Sequence, residues 1–403
     1  MTAPHFTLTR DVLLRDLHSA YTEAARHKKK THAVTTFAAN LEDNLNRLAD
    51  ALISRTYTPG PASCFIIRDP KQREVFAADF ADRVVHHLYY AYTHILFERT
   101  FIADSYSCIC GRGTHYGISR LAAHIRSESR NYQERAFALK LDIRGYFMHI
   151  SRARLADIAT ARLTAMASHR LTPGLALTWA HVLDFDFLAW LTRVIIMTDA
   201  TVGCVRRGNP RDWDGLPHSK SLFHSPPGCG LPIGNLTSQL FSNVYMGLFD
   251  DFMKRQMHCC HYGRYVDDAF VVSRDRQWLV GLIPLIRQWL SENLGLELHE
   301  GKTKIVDVRR GVEFLGAYVK PGRTYVARQT LSRMERHLVR LHERVLRGEV
   351  TKDELRCSLS SFGGVLGHYA SFRIREVLFA SLPALRDMGE FDAALLKWSP
   401  AEG

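Results

Sequence analysis

Tyr265-Val266-Asp267-Asp268 sets two adjacent carboxylates between an aromatic residue and the apolar run Ala269-Phe270-Val271-Val272. Residues 263–273, GRYVDDAFVVS, read as two short strands around an acidic turn. Such a hairpin is demanding to build. Its strands call for burial, while two like charges at its tip repel unless a cation or a Lys/Arg neutralises them. An Asp-Asp pair can also be an ordinary solvated turn, so the rest of the chain must decide.

Upstream, Phe137-Ala138-Leu139-Lys140-Leu141 reads as a strand that runs straight into Asp142. Alternation places Asp142 with Ala138 and Lys140, opposite Phe137, Leu139 and Leu141. One face is then core and the other open, with a carboxylate at its rim. Hard oxygen ligands on neighbouring strands are what Mg²⁺ needs when it is held by carboxylates and substrate phosphates. Two such ions can activate an attacking hydroxyl and stabilise a departing pyrophosphate.

Around these strands the pattern is mostly helical. Apolar residues recur at three- and four-residue steps between Thr7 and Thr56, as in LEDNLNRLADALI. The breaker cluster Tyr57-Thr58-Pro59-Gly60-Pro61 precedes a strand-like CFIIRD, and helices are expected over Phe80–Arg99 and Gln277–Leu294. GNPRDWDGLPHSKS looks like an exposed connection, KIVDV and VEFLGAYV are strand-like, and the tail from Thr330 is helical. The fold class is α+β, with helices around a largely antiparallel sheet.

The chain of 403 residues carries 53 Lys+Arg against 41 Asp+Glu, a net +12. That excess suits a polyanionic partner, because each phosphate neutralised releases a condensed counterion. Its eight cysteines include no CxxC pair, which favours a reducing cytoplasm over a disulfide framework. His258-Cys259-Cys260-His261 lacks the intervening turn of a tetrahedral zinc site and reads as thiols buried beside a strand. MTAPHFTLTRDVLL has no signal-peptide core, and no apolar run approaches membrane-span length, so no membrane is expected.

The acidic segments do not stand alone. LKLDIRGYF around Asp142 resembles motif A of reverse transcriptases, and GRYVDDAFVV resembles their motif C. GLPIGNLTSQ, residues 230–239, lies where motif B belongs; LHEGKT (298–303) resembles motif D and VEFLG (312–316) the primer-grip motif E. PKQREVFAADFADRVVHH resembles the fingers motifs, so the matches run in family order over roughly residues 57–320. The resemblance implies a right-hand polymerase fold. Residues 1–135 would form N-terminal helices and fingers. Residues 136–320 would form a palm with an inserted fingers segment at about 152–228, and 321–403 a helical thumb and tail. It implies an RNA-directed DNA polymerase with two Mg²⁺ ions, for which Mn²⁺ can substitute, held by Asp142, Asp267, Asp268 and the Ile143 carbonyl.

By the same resemblance Arg73, with Lys71 as a weaker candidate, would meet the incoming triphosphate; a guanidinium offers phosphate a planar fork of donors. The backbone amides of Gly145 and Tyr146 would face it too. Phe147, five residues after Asp142, would exclude a ribose 2′-hydroxyl, and Lys302 would protonate pyrophosphate. Ile233, Gly234 and Gln239 would contact the nucleotide from motif B.

Motif B narrows the resemblance. Most of the family carry Gln-Gly and then Ser-Pro, whereas this chain has Ile233-Gly234 and Ser238-Gln239. Those departures, with Arg112-Gly113-Thr114-His115, Lys220-Ser221-Leu222 and Leu366-Gly367-His368, resemble the reverse transcriptases of diversity-generating retroelements. That subfamily implies copying a template RNA with frequent errors at adenine, into cDNA that rewrites a variable protein gene. The implied partners are the template RNA, its RNA/DNA or cDNA duplex, dNTPs and a small basic helical accessory protein, itself oligomeric in some settings. A retron-like or defence-type enzyme, or an idle RNA-binding relative, is the alternative. In the presumed thumb, Arg333, Arg336, Arg340, Arg344 and Arg347 share one helical face, about 140° from Leu331, Met334, Leu338, Leu341 and Val345. That stripe is a candidate phosphate-binding surface.

Overall fold

In the computed structural model, residues 6–68, 71–172, 176–380, 383, 388–392 and 394–400 are described. Helices α1 (Arg10–Ala25), α2 (His32–Ala39) and α3 (Leu41–Ile53) open the chain. Strands β1 (Ser63–Ile67) and β2 (Arg73–Ala77) precede α4 (Phe80–Glu98) and α5 (Thr114–Glu128). Strand β3 (Phe137–Leu141) leads into α6 (Tyr146–His149), α7 (Arg152–Ala167), α8 (Phe185–Met197), β4 (Val205–Arg206) and α9 (Leu236–Asp251). Then come β5 (Tyr262–Tyr265), β6 (Asp268–Ser273), α10 (Arg276–Leu294), β7 (Lys304–Asp307), β8 (Val312–Phe314), β9 (Ala317–Lys320) and β10 (Arg323–Val326). The last elements are α11 (Arg328–Leu346), α12 (Lys352–Gly367), α13 (Phe372–Ala380), β11 (Gly389–Phe391) and β12 (Trp398–Pro400).

These elements divide into two units, each assembled from separate stretches of chain. The first takes Met1–Ile109, Ile143–Cys259 and Pro284–His299; the second takes Cys110–Asp142, Cys260–Ile283 and Glu300–Gly403. In the first unit α1 packs on α3 and α4. Buried Asp82 accepts hydrogen bonds from the Tyr57 hydroxyl at 2.6 Å and the Gly60 amide at 2.9 Å, which anchors the Pro/Gly breaker. Strand β1 pairs antiparallel with β2 and parallel with β4, joining the start of the chain to the segment beyond α8.

The second unit is built on a four-stranded antiparallel sheet in the order β5-β6-β3-β7. Being interior, β3 is covered more fully than simple alternation predicts: Ala138 is as buried as Leu139, and Phe137 is only half-buried. The expected open face begins at Lys140. A meander of β8, β9 and β10 follows, and α5 packs against β5, β6 and β9. The C-terminal helices enclose a separate core of Met334, Leu338, Leu341, Leu355, Leu359 and Leu366, the apolar face expected for α11. Among the described residues no helix is long and apolar enough to cross a membrane.

Candidate active site

The sheet register explains how two carboxylate sites distant in sequence meet. β5 and β6 are joined by the two-residue turn Val266-Asp267, across which Tyr265 pairs with Asp268. β3 runs beside β6 with Leu141 opposite Ala269, so one further step brings Asp142 level with Asp268. Val266 takes φ 56°, a left-handed conformation that is costly for a β-branched residue. The neighbouring Arg264, 0% exposed, donates to the Val266 carbonyl at 2.9 Å and holds the turn from beneath.

The cost of this crowding falls on Asp267. Burial, then the charges of Asp268 and Asp142, push its carboxyl up to about 7, with Lys302 opposing them. The Lys302 ammonium reaches both oxygens of Asp142, at 2.8 and 2.9 Å. Because the Lys302 side chain is 57% exposed, the pair stabilises by about 1 kcal/mol or less, so a stronger cation could displace it cheaply. Burial also lowers the pKa of Lys140, two residues before Asp142 on the strand. Among the described residues no three His, Cys, Asp or Glu side chains converge in metal-ligating geometry. Three carboxylates brought together on one sheet, with burial and mutual repulsion raising Asp267, are nevertheless oxygen donors of the kind a hard divalent ion takes.

In the first unit the turn after Asp142 enters α6 through Gly145, at φ 55°. A side chain there would strike the Ser219 carbonyl and the His149 ring, each 2.9 Å from a Cβ. Phe147 on α6 packs against a cluster of Ala62, Cys64, Phe76, Met148 and Leu222, and Ile233 packs against the same cluster. The Ile233 carbonyl accepts from the Phe76 amide at 2.8 Å. Gly234, at φ 125°, leaves no room for a Cβ, which would lie 2.7 Å from the Phe76 carbonyl. The segment leading into α9 is therefore seated on β2 through the backbone of Ile233 and Gly234. Arg73 begins that strand with its side chain exposed and no partner among the described residues, and Lys71 is likewise exposed and unpaired. Ile143 is buried and bridges to Leu298, while exposed Gln239 accepts from the Cys108 thiol at 3.1 Å.

A sequence model of the family described as reverse transcriptase (RNA-dependent DNA polymerase) matches residues 79–319, well over half of the 403. The chain belongs to the reverse transcriptase family. With that membership comes the right-hand polymerase fold class, to which the helices and antiparallel sheet conform. No curated protein matches the sequence of this reverse transcriptase. Among solved structures, telomerase from Candida albicans in complex with a TWJ fragment of telomeric RNA is similar at 13% identity and a TM-score of 0.46. That match covers 80% of this chain and 55% of that one. Apo telomerase from Candida tropicalis is similar at 9% identity and a TM-score of 0.47, covering 84% and 63%. The chain thus spans less than two thirds of the length of these structures.

The arginine stripe of this reverse transcriptase is unevenly committed. Arg344 pairs with Glu354 at 2.7 Å and Arg347 with Glu349 at 2.8 Å. Arg333, Arg336 and Arg340 have no acidic partner among the described residues; the latter two bond only to helix carbonyls.

Sequence reading missed two features. Glu74 is 1% exposed and accepts from Trp213 Nε1 at 2.8 Å, the Leu222 amide at 2.7 Å and Ser221 Oγ at 3.2 Å. It ties β2 to the polar segment read as an exposed connection, and an acidic residue at an inward strand position was the available signal. His115 and His368, from the two histidine motifs, stack with ring centres 3.8 Å apart. No local pattern could have joined them. Of the HCCH run, Cys259 is buried and Cys260 exposed, while His261 bonds to His124 and Glu128.

Proposed function

We propose that this reverse transcriptase extends a DNA primer on an RNA template, with Asp142, Asp267 and Asp268 holding two Mg²⁺ ions beside the Ile143 carbonyl. The observation that carries the reading is the meeting of three carboxylates on one sheet, where burial and then the charges of Asp268 and Asp142 raise the Asp267 carboxyl and exposed Lys302 opposes them only in part. When bound, the ions supply Lewis-acid activation of the primer hydroxyl and charge neutralisation at the leaving group. The chain does the rest. Lys302, released from Asp142, presents an ammonium that can donate a proton to pyrophosphate. Arg73, assisted by Lys71, and the amides of Gly145 and Tyr146 hold the triphosphate. Phe147 closes the space where a 2′-hydroxyl would sit, and Gln239 lines the nucleotide side of motif B. Arg333, Arg336 and Arg340, with Arg344 and Arg347 more weakly, track the template–primer backbone. Primer extension on an RNA template, with and without Mg²⁺, tests this; Asp142→Asn extending at the wild-type rate would remove the assignment.

Within that activity the reading is of a diversity-generating enzyme, working with a template RNA and a small basic accessory protein. Two observations support it. Ile233 offers the nucleotide no hydrogen-bonding side chain, and it packs against the same apolar cluster as Phe147, which would join base and sugar selection. The stack of His115 on His368 unites the two histidine motifs that carry the subfamily resemblance. A site that hydrogen-bonds its substrate rejects mispairs far better than an apolar one. Ile233→Gln is therefore expected to lower misincorporation opposite template adenine, read by sequencing the cDNA. A faithful wild-type enzyme would leave a reverse transcriptase of retron-like or defence type.

A further inference from the structure

In the second unit a cavity of about 450 Å³ opens beside β3, β7, β8, β9 and the first residue of α10. Five cationic side chains line it, Arg135, Lys140, Arg276, Lys304 and Arg310, against two acids, Asp307 and Glu313. Both acids are already engaged. Asp307 bonds Arg135 at 2.9 Å, and Glu313 is the strongest opposite charge acting on Lys140. Arg276, Lys304 and Arg310 are exposed and have no acidic partner among the described residues. Three unspent positive charges around one cavity repel each other and favour an anion that can meet them together.

The cavity also has aromatic walls whose placement is specific. The Tyr318 hydroxyl donates to the Arg310 carbonyl at 2.5 Å, which fixes the ring. That ring lies so close to Gly311, at φ 100°, that any Cβ there would meet it at 2.5 Å. Phe137, half-buried, carries the Arg135 guanidinium 5.1 Å from its ring centre. Cations that track phosphates, interleaved with rings on which bases stack, are the elements of a sequence-tolerant single-strand site. Charged residues on an edge strand also serve to block strand pairing. That role accounts for Lys304 on β7 but not for Arg276 or Arg310, which lie off the strand.

We propose that this cavity binds single-stranded nucleic acid, its phosphodiester backbone on Arg276, Lys304 and Arg310 and a base against Tyr318. None of the lining residues is among those assigned to catalysis, so the site can be tested by binding without dNTPs or metal. The probe is a fluorescein-labelled single strand of mixed sequence, prepared as RNA and as DNA, followed by anisotropy across a salt series. For R276Q/K304Q/R310Q the slope of log K against log salt should shrink by about 2, three contacts at roughly 0.7 each. Tyr318→Leu should weaken binding roughly tenfold with the slope unchanged, since stacking releases no counterions. R276K/R310K should bind as wild type. If the triple variant does not fold, Arg310→Gln alone should shrink the slope by about 0.7. Equal losses on RNA and DNA assign the phosphodiester alone, and a loss confined to RNA assigns the template strand. An unchanged slope in a folded variant, or an equal loss in the charge-matched control K29Q/K30Q/R47Q, overturns the proposal.

Discussion

Asp267→Asn should stabilise the metal-free enzyme while abolishing its chemistry. The Asp267 carboxyl is raised from an ordinary 3.8 to about 7. Below pH 4 both folded and unfolded chains hold the proton, and the residue costs nothing. From there to about pH 7 the unfolded chain gives the proton up first, so stability falls by about 1.4 kcal/mol per unit. Above pH 7 both forms are ionised and the penalty levels off. A gap of about three units sets a ceiling near 4 kcal/mol. Asp267 is only half-buried, and water screens part of the repulsion, so about 2 kcal/mol is expected. Urea unfolding in EDTA should show the asparagine variant more stable by that amount at pH 8 and equal to wild type at pH 4. Added Mg²⁺ should raise the wild-type midpoint and leave the variant nearly unmoved, since an amide is a poor ligand for a hard ion. Extension should fall at least about a hundredfold. A variant no more stable than wild type at pH 8 would refute the account of the carboxylate cluster.

Phe147→Ala should raise ribonucleotide relative to deoxyribonucleotide incorporation at least about tenfold, read by single-nucleotide extension, and an unchanged ratio means another group guards the sugar. Glu74→Ala leaves the buried Ser221 and Leu222 donors and the half-buried Trp213 without their acceptor and should cost about 3 kcal/mol in chemical unfolding, with Glu74→Gln costing less. Replacing Arg333, Arg336 and Arg340 by Gln should shrink the salt slope of duplex binding by about 3. Arg344→Gln should change it little, because Glu354 already neutralises that guanidinium; equal effects at all four positions would sink the distinction.

What could be read from the chain alone was local. FALKL becomes β3 over Phe137–Leu141, the acidic turn joins β5 to β6, and the helix expected over Gln277–Leu294 starts one residue early at Arg276. Periodicity and turn chemistry act over a few residues, and these elements depend on little else. Ala138 escaped because its burial depends on being in an interior strand, which no alternation rule reports. Glu74 and Arg344 escaped because their partners, Ser221 and Glu354, become neighbours only through folding. The meeting of Asp142 with the Asp267-Asp268 turn could be expected because both lie in an ordered series of motifs that resembles the family's. The pairing of Lys302 with Asp142 rather than with water needed three-dimensional structure.

The seating of Gly234 against the Phe76 carbonyl has a kinetic corollary. Because Ile233 is hydrogen-bonded to β2 and Gly234 lies against the Phe76 carbonyl, and Arg73 begins that strand, a shift of the loop should carry the strand with it. Base checking and triphosphate grip, if they reside where proposed, are then not independent parameters. A substitution at Ile233 that sharpens base choice should also move the apparent affinity for every dNTP, correct or not. Selection for accuracy would thus be paid in substrate concentration, and revertants of a fidelity variant should be sought along β2 as readily as in the loop itself.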